Sequence, residues 1–493
     1  MRVLITTRAR GASLSVAGRL TMVARPRLRS ICVAVSIGVA LGAANPAHAF
    51  GPGDAYEAAL GHDPVYAAAM KERDAGDANR AIGRSYLLPN LSASYANYRD
   101  WTQTTIIGPG GGSFSQGYKA YASGISLRQP LLNYEGLARF RYGKAQALAS
   151  DATFTDRGEE LLVRVLSAYT DTLFALDQLT LASAQKKTFD EQLAGNEAMF
   201  DNGQGTRTDI LETHAKSALA QADVEDARDN LDNAAHTLEA VAGLPAALDV
   251  QGLDRLSDDY HPVMPSPGSF EQWRDIALES NAELIAERHS VEAARQQLEI
   301  VHAGFYPHVD LVASLGKNQS DTVNTIGQRY LTKTIGVEVT IPLYSGGLVQ
   351  ASSAQASANY ERMQFELQDK TNKVLLDVRK QYGVCVSSLT RIDALQRAVE
   401  SATLLITATR KSVQAGMRTN LDVLNAEQEL YQSKRDLARA RYQYLLADLQ
   451  LKHAAGILSA ENLYEMAKWF VPPEHVTAIA SGSVTEIGPR QIP

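Results

Sequence analysis

The sequence predicts an α+β membrane protein, internally duplicated, in which long α-helical hairpins alternate with four β-strands. Three observations point to it. Everything after residue 49 is one half-molecule written twice. Each half contains a long proline-free run with helical periodicity. Each half also contains, after a first helix, two segments in which apolar and polar residues alternate.

The duplication comes first because it organises the rest. Asp63 to Tyr95 lies on Asn281 to Ala313 without a gap, at an offset of 218, which puts Pro89 on Pro307. Further along, at an offset of 212 to 213, Pro130-Leu131-Leu132 matches Pro342-Leu343-Tyr344 and Gly203 matches Gly416. Asp209-Ile210-Leu211 matches Asp422-Val423-Leu424 in the same frame, and Ala242-Gly243 matches Ala455-Gly456. Solenoid units repeat every ~20–50 residues, so so long a period indicates two copies of a domain-sized unit. We divide the chain into a leader (1–49), a first repeat (50–243, with a β-hairpin at 87–131), a joint (244–268), a second repeat (269–457, with a β-hairpin at 305–344) and a closing segment and flexible tail (458–493).

Helices fill the proline-free runs. None of the prolines lies between Pro130 and Pro245 or between Pro342 and Pro472. In the first run Leu162, Leu166, Tyr169, Leu173 and Leu176 are spaced by four and three, the seam of an amphipathic helix. Gly203 and Gly205 interrupt it, and Thr208-Asp209 is expected to restart it as cap and first-turn acid. Gly416 and Asn420 play the same breaker and cap parts in the second run. The stretch from Asn133 to Gly203 would reach roughly 105 Å as one helix, with Gly136, Gly143 and Gly158 as expected points of weakness. In the returning helix Val423, Leu430, Leu437, Tyr444 and Leu451 recur every seven residues, and Ala426, Ser433, Ala440, Ala447 and Ala454 recur three positions later. A large stripe beside a small one suits closely packed antiparallel helices. A plain helical bundle explains these stripes equally well.

The strands separate the two possibilities. Val309, Leu311, Ala313 and Leu315 alternate with polar or small neighbours, as do Ile335, Val337, Val339 and Ile341. Leu91, Ala93 and Tyr95, and then Tyr121, Ser123, Ile125 and Leu127, repeat the pattern in the first half. Segments of this length with one apolar and one polar face are the signature of membrane-barrel strands. Tyr86, Tyr95, Tyr98 and Trp101 suit an aromatic girdle, although aromatic residues in strands also simply pack. Four strands cannot close a barrel, which needs about eight or more, and open edges are not viable in lipid. The strands must therefore pair with those of other chains.

The ends and the charge narrow the compartment. Residues 1–49 hold seven Arg and no acid, then an apolar stretch from Ile31 to Leu41, then Ala47-His48-Ala49. That is the order of a cleaved export signal, with Met1 and Met22 both possible starts. An uncleaved anchor is the alternative, against which the apolar stretch is well short of the ~20 residues of a span. Losing the seven leader Arg takes the formal charge from −7 to −14, which argues against a nucleic-acid partner. Cys385 alone remains, so no intrachain disulfide is available. The His residues are scattered and no nucleophile, phosphate-loop or metal-protease motif occurs, so no enzyme, metal or cofactor is expected.

At this point the mature chain resembles the TolC-like outer membrane efflux proteins over essentially its whole length. The resemblance rests on the duplicated helix-strand-strand-helix order and on Leu88-Pro89-Asn90-Leu91 and Tyr306-Pro307-His308-Val309 before the strands. It rests also on Ile341-Pro342-Leu343-Tyr344-Ser345-Gly346-Gly347 and on Ala415-Gly416-Met417-Arg418-Thr419-Asn420-Leu421-Asp422-Val423-Leu424. It implies a homotrimer whose strands form one twelve-stranded outer-membrane β-barrel, continuous with a periplasmic α-helical barrel. It implies an exit duct of a tripartite efflux or type I secretion system for small molecules or proteins, with outer membrane lipid, a periplasmic adaptor (membrane fusion) protein and an inner-membrane ABC or RND-type transporter as partners. A soluble periplasmic coiled-coil adaptor is the alternative from another class.

By the same resemblance, Thr208 and Asp209 meet Arg418 of a neighbouring hairpin and hold the periplasmic entrance shut. The alternatives are an ordinary surface pair and simple helix capping. Asp422 would point inward to give a ring of three carboxylates, or serve only as a first-turn acid. Asn425 stands where a second acid often follows and Val413 where a Tyr can join the gate, which implies a weaker lock. Asn202, Gly203, Gln204, Ala415, Gly416 and Met417 would be the tip loops that dock the adaptor, or bare turns after helix ends.

Overall fold

The computed structural model describes residues 50–244, 248–320 and 328–473. The expected leader, the tip of the second β-hairpin (321–327) and the tail beyond 473 lie outside the described residues. The order of elements is α1 (Pro52–His62), α2 (Pro64–Ser85), β1 (Asn90–Thr105), β2 (Ser113–Leu132), α3 (Tyr134–Asp201) and α4 (Arg207–Ala242). Then come β3 (Arg255–Leu256), α5 (Phe270–Ser280), α6 (Ala282–His302), β4 (His308–Ser320), β5 (Gln328–Thr340), α7 (Leu348–Gln414), α8 (Asn420–Ala455), α9 (Ala460–Ala467) and β6 (Phe470–Val471).

The duplication extends to the helix starts. Asp63 caps α2 by accepting from Val65 N at 2.6 Å and Tyr66 N at 3.1 Å, and Asn281, its repeat mate, caps α6 by accepting from Leu284 N at 2.9 Å. Such a cap contributes about 1 kcal/mol. The long helices α3 and α7 have 68 and 67 residues, and α4 and α8 have 36 each. At 1.5 Å per residue these are roughly 100 Å and 54 Å long. The seam residues Leu162, Leu166, Tyr169, Leu173 and Leu176 are all buried, and so is the whole small stripe Ala426, Ser433, Ala440, Ala447 and Ala454.

The glycines of α3 do not weaken it: the helix is continuous from Tyr134 to Asp201. Gly143 and Gly83 instead let α3 and α2 touch. A Cβ on Gly143 would sit 2.2 Å from Asn79 O, and one on Gly83 2.7 Å from Arg139 O. Here glycine is selected for close backbone approach and not for flexibility.

Midway along α3 the joint and the closing segment wrap the helices. β3 pairs with β6, Arg255 opposite Val471 and Leu256 opposite Phe470. The Tyr169 hydroxyl lies 2.8 Å from Phe50 O and 2.9 Å from Asp254 O, and its ring meets Phe470 edge-on at 5.7 Å. Trp273, fully buried, donates Nε1–H to Pro267 O at 2.6 Å. These contacts belong to one large apolar cluster that joins residues of α1, α3, α4, α5, α7, α8 and α9.

Near this layer α3 faces the end of α8 across a group of titratable side chains. Burial pushes the Glu159 carboxyl up to about 7; His453 opposes the shift and Asp156 adds to it. The His453 ring lies 3.3 Å from Asp156. A raised carboxyl binds its proton more tightly in the folded state, so its contribution is fully present below ~4.5 and is lost as pH rises through about 7. Glu159→Gln is therefore expected to raise stability at pH 8 by up to about 3 kcal/mol, at 1.36 kcal/mol per pKa unit. Thermal unfolding of the variant from pH 5 to 8 checks this, since the gain must shrink towards pH 5.

The other four strands form one antiparallel sheet in the order β1-β2-β4-β5. Leu91, Leu127, Ala313 and Ile335 are register partners, so the odd-numbered residues share one face. That face carries the large apolar side chains and is uncovered, with Leu91 70% and Ile335 79% exposed. The even face is mostly polar or small, with Tyr98, Phe114, Tyr118 and Tyr330 as its aromatic exceptions. On it Arg128 bridges two strands at once, 2.8 Å from Asp310 and 3.0 Å from Glu338. Among the described residues β1 and β5 each have one neighbour in the sheet. The sheet therefore ends in two open edges.

Candidate functional site at the helical turns

The two long hairpins turn at equivalent places, and the turns are built alike. Gly203 and Gly416 take the left-handed conformation, with φ of +74° and +69°. Gly203 N donates to Phe200 O and Gln204 N to Met199 O, both at 2.9 Å. Gly416 N donates to Val413 O and Met417 N to Ser412 O, again at 2.9 Å. Paired bonds of this kind satisfy the last carbonyls of a helix. Asn202, Gly203, Gln204, Ala415, Gly416 and Met417 are all exposed.

The helix starts after the turns correct two expectations. The caps are Thr206 and Thr419, not Thr208 or Asn420. Asp209 N donates to Thr206 Oγ1 at 3.1 Å, while Asp209 Oδ2 accepts from the Thr206 backbone at 3.2 Å and its hydroxyl at 2.6 Å. Asp422 Oδ2 accepts from Thr419 N and Thr419 Oγ1, each at 2.9 Å. This is a capping box with Asp in the last position, and the Thr-x-x-Asp spacing, present in both repeats, was its signal. Bonds from the Thr419 backbone and hydroxyl hold the Asp422 carboxyl below the usual carboxylate range, with the Arg418 charge adding to them.

Within one chain the proposed gate residues do not meet. Among the described residues Arg418 forms no ion pair, Thr208 and Asn425 are exposed, and the Asp209 carboxylate is engaged by its own cap. The hairpins are joined one and two turns further in. Thr213, fully buried, donates to Asp209 O at 2.8 Å and accepts from Asn196 at 2.8 Å and Asn420 at 3.3 Å. Deeper still, Glu427 accepts from Arg410 on α7 at 2.6 Å and from Gln192 on α3 at 2.7 Å. Burial pushes the Glu427 carboxyl up, and Arg410 and Gln192 pull against it. Phe189, Ala220 and Leu424 form a small apolar core beside these contacts. Asn420, Glu427 and Arg441, which pairs with Asp258 at 3.8 Å, fall at multiples of seven on one stripe of α8. That polar stripe beside the two described above is the signal that finds these residues in the sequence.

Tunnel-length helix pairs ending in matched turns, below an open sheet, find their counterpart among known proteins. The model of a family described as outer membrane efflux protein matches residues 55–244 and 273–457. The chain belongs to the outer membrane efflux protein family. It is 44% identical, over 87% of its length and 89% of the relative's, to the alkaline protease secretion protein AprF of Pseudomonas aeruginosa. It is 39% identical, over 86% and 92%, to the proteases secretion protein PrtF of Dickeya chrysanthemi. Its fold matches the solved outer membrane protein VceC of Vibrio cholerae with a TM-score of 0.70 at 19% identity, over 82% and 96% of the two chains. As a member of this family the chain resides in the outer membrane, extends into the periplasm, and serves as the exit duct of an efflux or secretion system. The soluble adaptor alternative falls with this assignment and with the apolar sheet face, which a soluble coiled coil does not need.

Glu427 ties α8 to α7 within its own hairpin through Arg410, and to α3 of the other hairpin through Gln192. Arg410→Met leaves a buried carboxylate with one donor, and at 1.5–3 kcal/mol for a charged hydrogen bond, discounted for the half-exposed Arg410, we expect a loss of about 1–2 kcal/mol. Arg410→Met/Glu427→Leu should recover most of it, because no buried charge is left unpaired. Thermal unfolding of the single and double variants checks both statements, and an unchanged midpoint in the single variant removes the Arg410–Glu427 tie of α7 to α8.

Proposed function

We propose that three copies of this chain pair β5 of one with β1 of the next, closing a twelve-stranded barrel continued by a tunnel of α3, α4, α7 and α8. The duct exports protein for an ABC-type pump of the inner membrane, reached through a periplasmic adaptor that docks on the exposed turns around Gly203 and Gly416. The observation that supports this most is the sheet: an apolar outer face with two open edges is viable in lipid only when the edges are paired by other copies. The high identity to two protease secretion proteins supports protein as cargo over small molecules. The reading assigns no chemical step to the chain. Purified protein should have the mass of three copies in detergent and open channels in a planar bilayer, and a monomer without channels would refute the assembly.

In the trimer Arg418 of one copy lies against Thr208 and Asp209 of the next and restrains the entrance. Its freedom within the chain supports this role. An Arg–carboxylate contact is directional, so Arg418→Ser should increase single-channel conductance; equal conductance would take Arg418 out of the gate.

Three copies of Asp422 form the acidic constriction, with Asn425 beside it contributing no charge. Within each copy the Thr419 bonds hold the Asp422 carboxyl below the usual carboxylate range, which opposes the rise that neighbouring like charges cause. Asp422→Ala is expected to weaken block by a trivalent cation about tenfold, a loss of about 1.4 kcal/mol. Unchanged block would place the constriction elsewhere.

A further inference from the structure

The four long strands sort their charges by face. Arg99, Lys119, Lys317, Arg329 and Lys333 all stand on the odd, apolar face and are exposed. Asp100, Asp310 and Glu338, the acids of these strands, stand on the even face, where Arg128 pairs with the last two. Among the described residues none of the five outer cations has an ion-pair partner. Two are register partners: Arg99 is directly opposite Lys119, and like charges so placed repel. All five lie in the half of their strand remote from the helices. Trp101 stands beside Arg99, with the guanidinium 5.6 Å from its ring, and Tyr95 and Tyr121 share the face. Among the described residues no acid stands on this face beside these cations, so anions from elsewhere would answer their charge.

We infer that this face is a binding surface for the phosphate groups of an anionic glycolipid in the outer leaflet of the membrane. The inference rests on the barrel reading above, which points the odd face at lipid and the hairpin tips away from the periplasm. Basic side chains with aromatic residues beside them match a phosphorylated sugar headgroup at the membrane interface. The acyl chains then run down over Leu91, Ile125, Leu315 and Ile335. The anion answers the Arg99–Lys119 repulsion, which a neutral lipid leaves in place. The opposite face, whose single cation Arg128 is already paired within the sheet, has no such need.

The test titrates the purified mature protein in detergent with lipid A bearing both phosphates and counts bound lipid by native mass spectrometry. Arg99→Gln/Lys119→Gln/Lys317→Gln/Arg329→Gln/Lys333→Gln should bind at least about tenfold more weakly, since each basic residue near an anionic surface contributes, while bilayer conductance stays unchanged. The partial variants Arg99→Gln/Lys119→Gln and Lys317→Gln/Arg329→Gln/Lys333→Gln should each lose part of the affinity and replace the full variant if it fails to insert. Lys119→Arg/Lys317→Arg/Lys333→Arg should bind like the wild type. Equal binding by wild type and Gln variants, or by dephosphorylated lipid A, overturns the inference and leaves the duct standing. Displacement by inorganic phosphate at millimolar concentration overturns the choice of a lipid. Absence of channels from the wild type overturns the barrel reading itself.

Discussion

An unpaired backbone N–H or C=O in hydrocarbon costs several kcal/mol, and this chain carries two rows of them, one along β1 and one along β5. Among the described residues no strand of the same chain pairs with these edges, and neither edge is blunted by proline or cut short. The remaining features are consistent with that one requirement. Pairing with other copies, as proposed, satisfies both rows at once. Closure determines which face meets lipid, and hence why large apolar side chains and unpaired cations share the odd face while Arg128, Asp310 and Glu338 are confined to the even one.

The helices meet a different demand. A helix of roughly 100 Å gains little from propensity alone and depends on tertiary packing along its length. The chain supplies this in three ways. Leucine seams pack against alanine and serine stripes, glycines let α2 reach the backbone of α3, and the β3–β6 layer with Tyr169 and Trp273 ties the helices at their middle. Duplication makes the scheme economical, since one set of rules serves both hairpins.

The turns show how one residue type serves two levels. Asp209 and Asp422 complete capping boxes, which accounts for their presence in both repeats without reference to transport. That same capping lowers the Asp422 carboxyl, so local helix chemistry keeps a charge at the turn that the proposed entrance would use. Arg418 forms no ion pair among the described residues, and its charge only adds to the lowering of the Asp422 carboxyl. The contacts that hold one hairpin to the other inside a chain lie deeper, from Asn420 to Thr213 and from Gln192 to Glu427.

Much of this was legible in the residues. Period two against period three-to-four separates strand from helix wherever one face is buried or lipid-facing, and repetition at offsets of 218 and 213 doubles the signal. The positions of the turns followed from Gly203 and Gly416, because a left-handed residue ends a helix. What the residues did not reveal were contacts between side chains far apart in the chain. Glu427 meets Gln192 and Arg410 only because of how three helices are rotated against one another, and rotation is set by packing summed over the whole seam. The caps fell one or two residues from the expected places because the last hydrogen bond of a helix depends on local φ and ψ. Sequence alone thus determined the elements, their order and the faces they bury, since these follow from side-chain polarity at fixed periods. Only the tertiary structure decided which polar groups share a proton or a charge, since that depends on distances of a few ångströms between elements that periodicity does not relate.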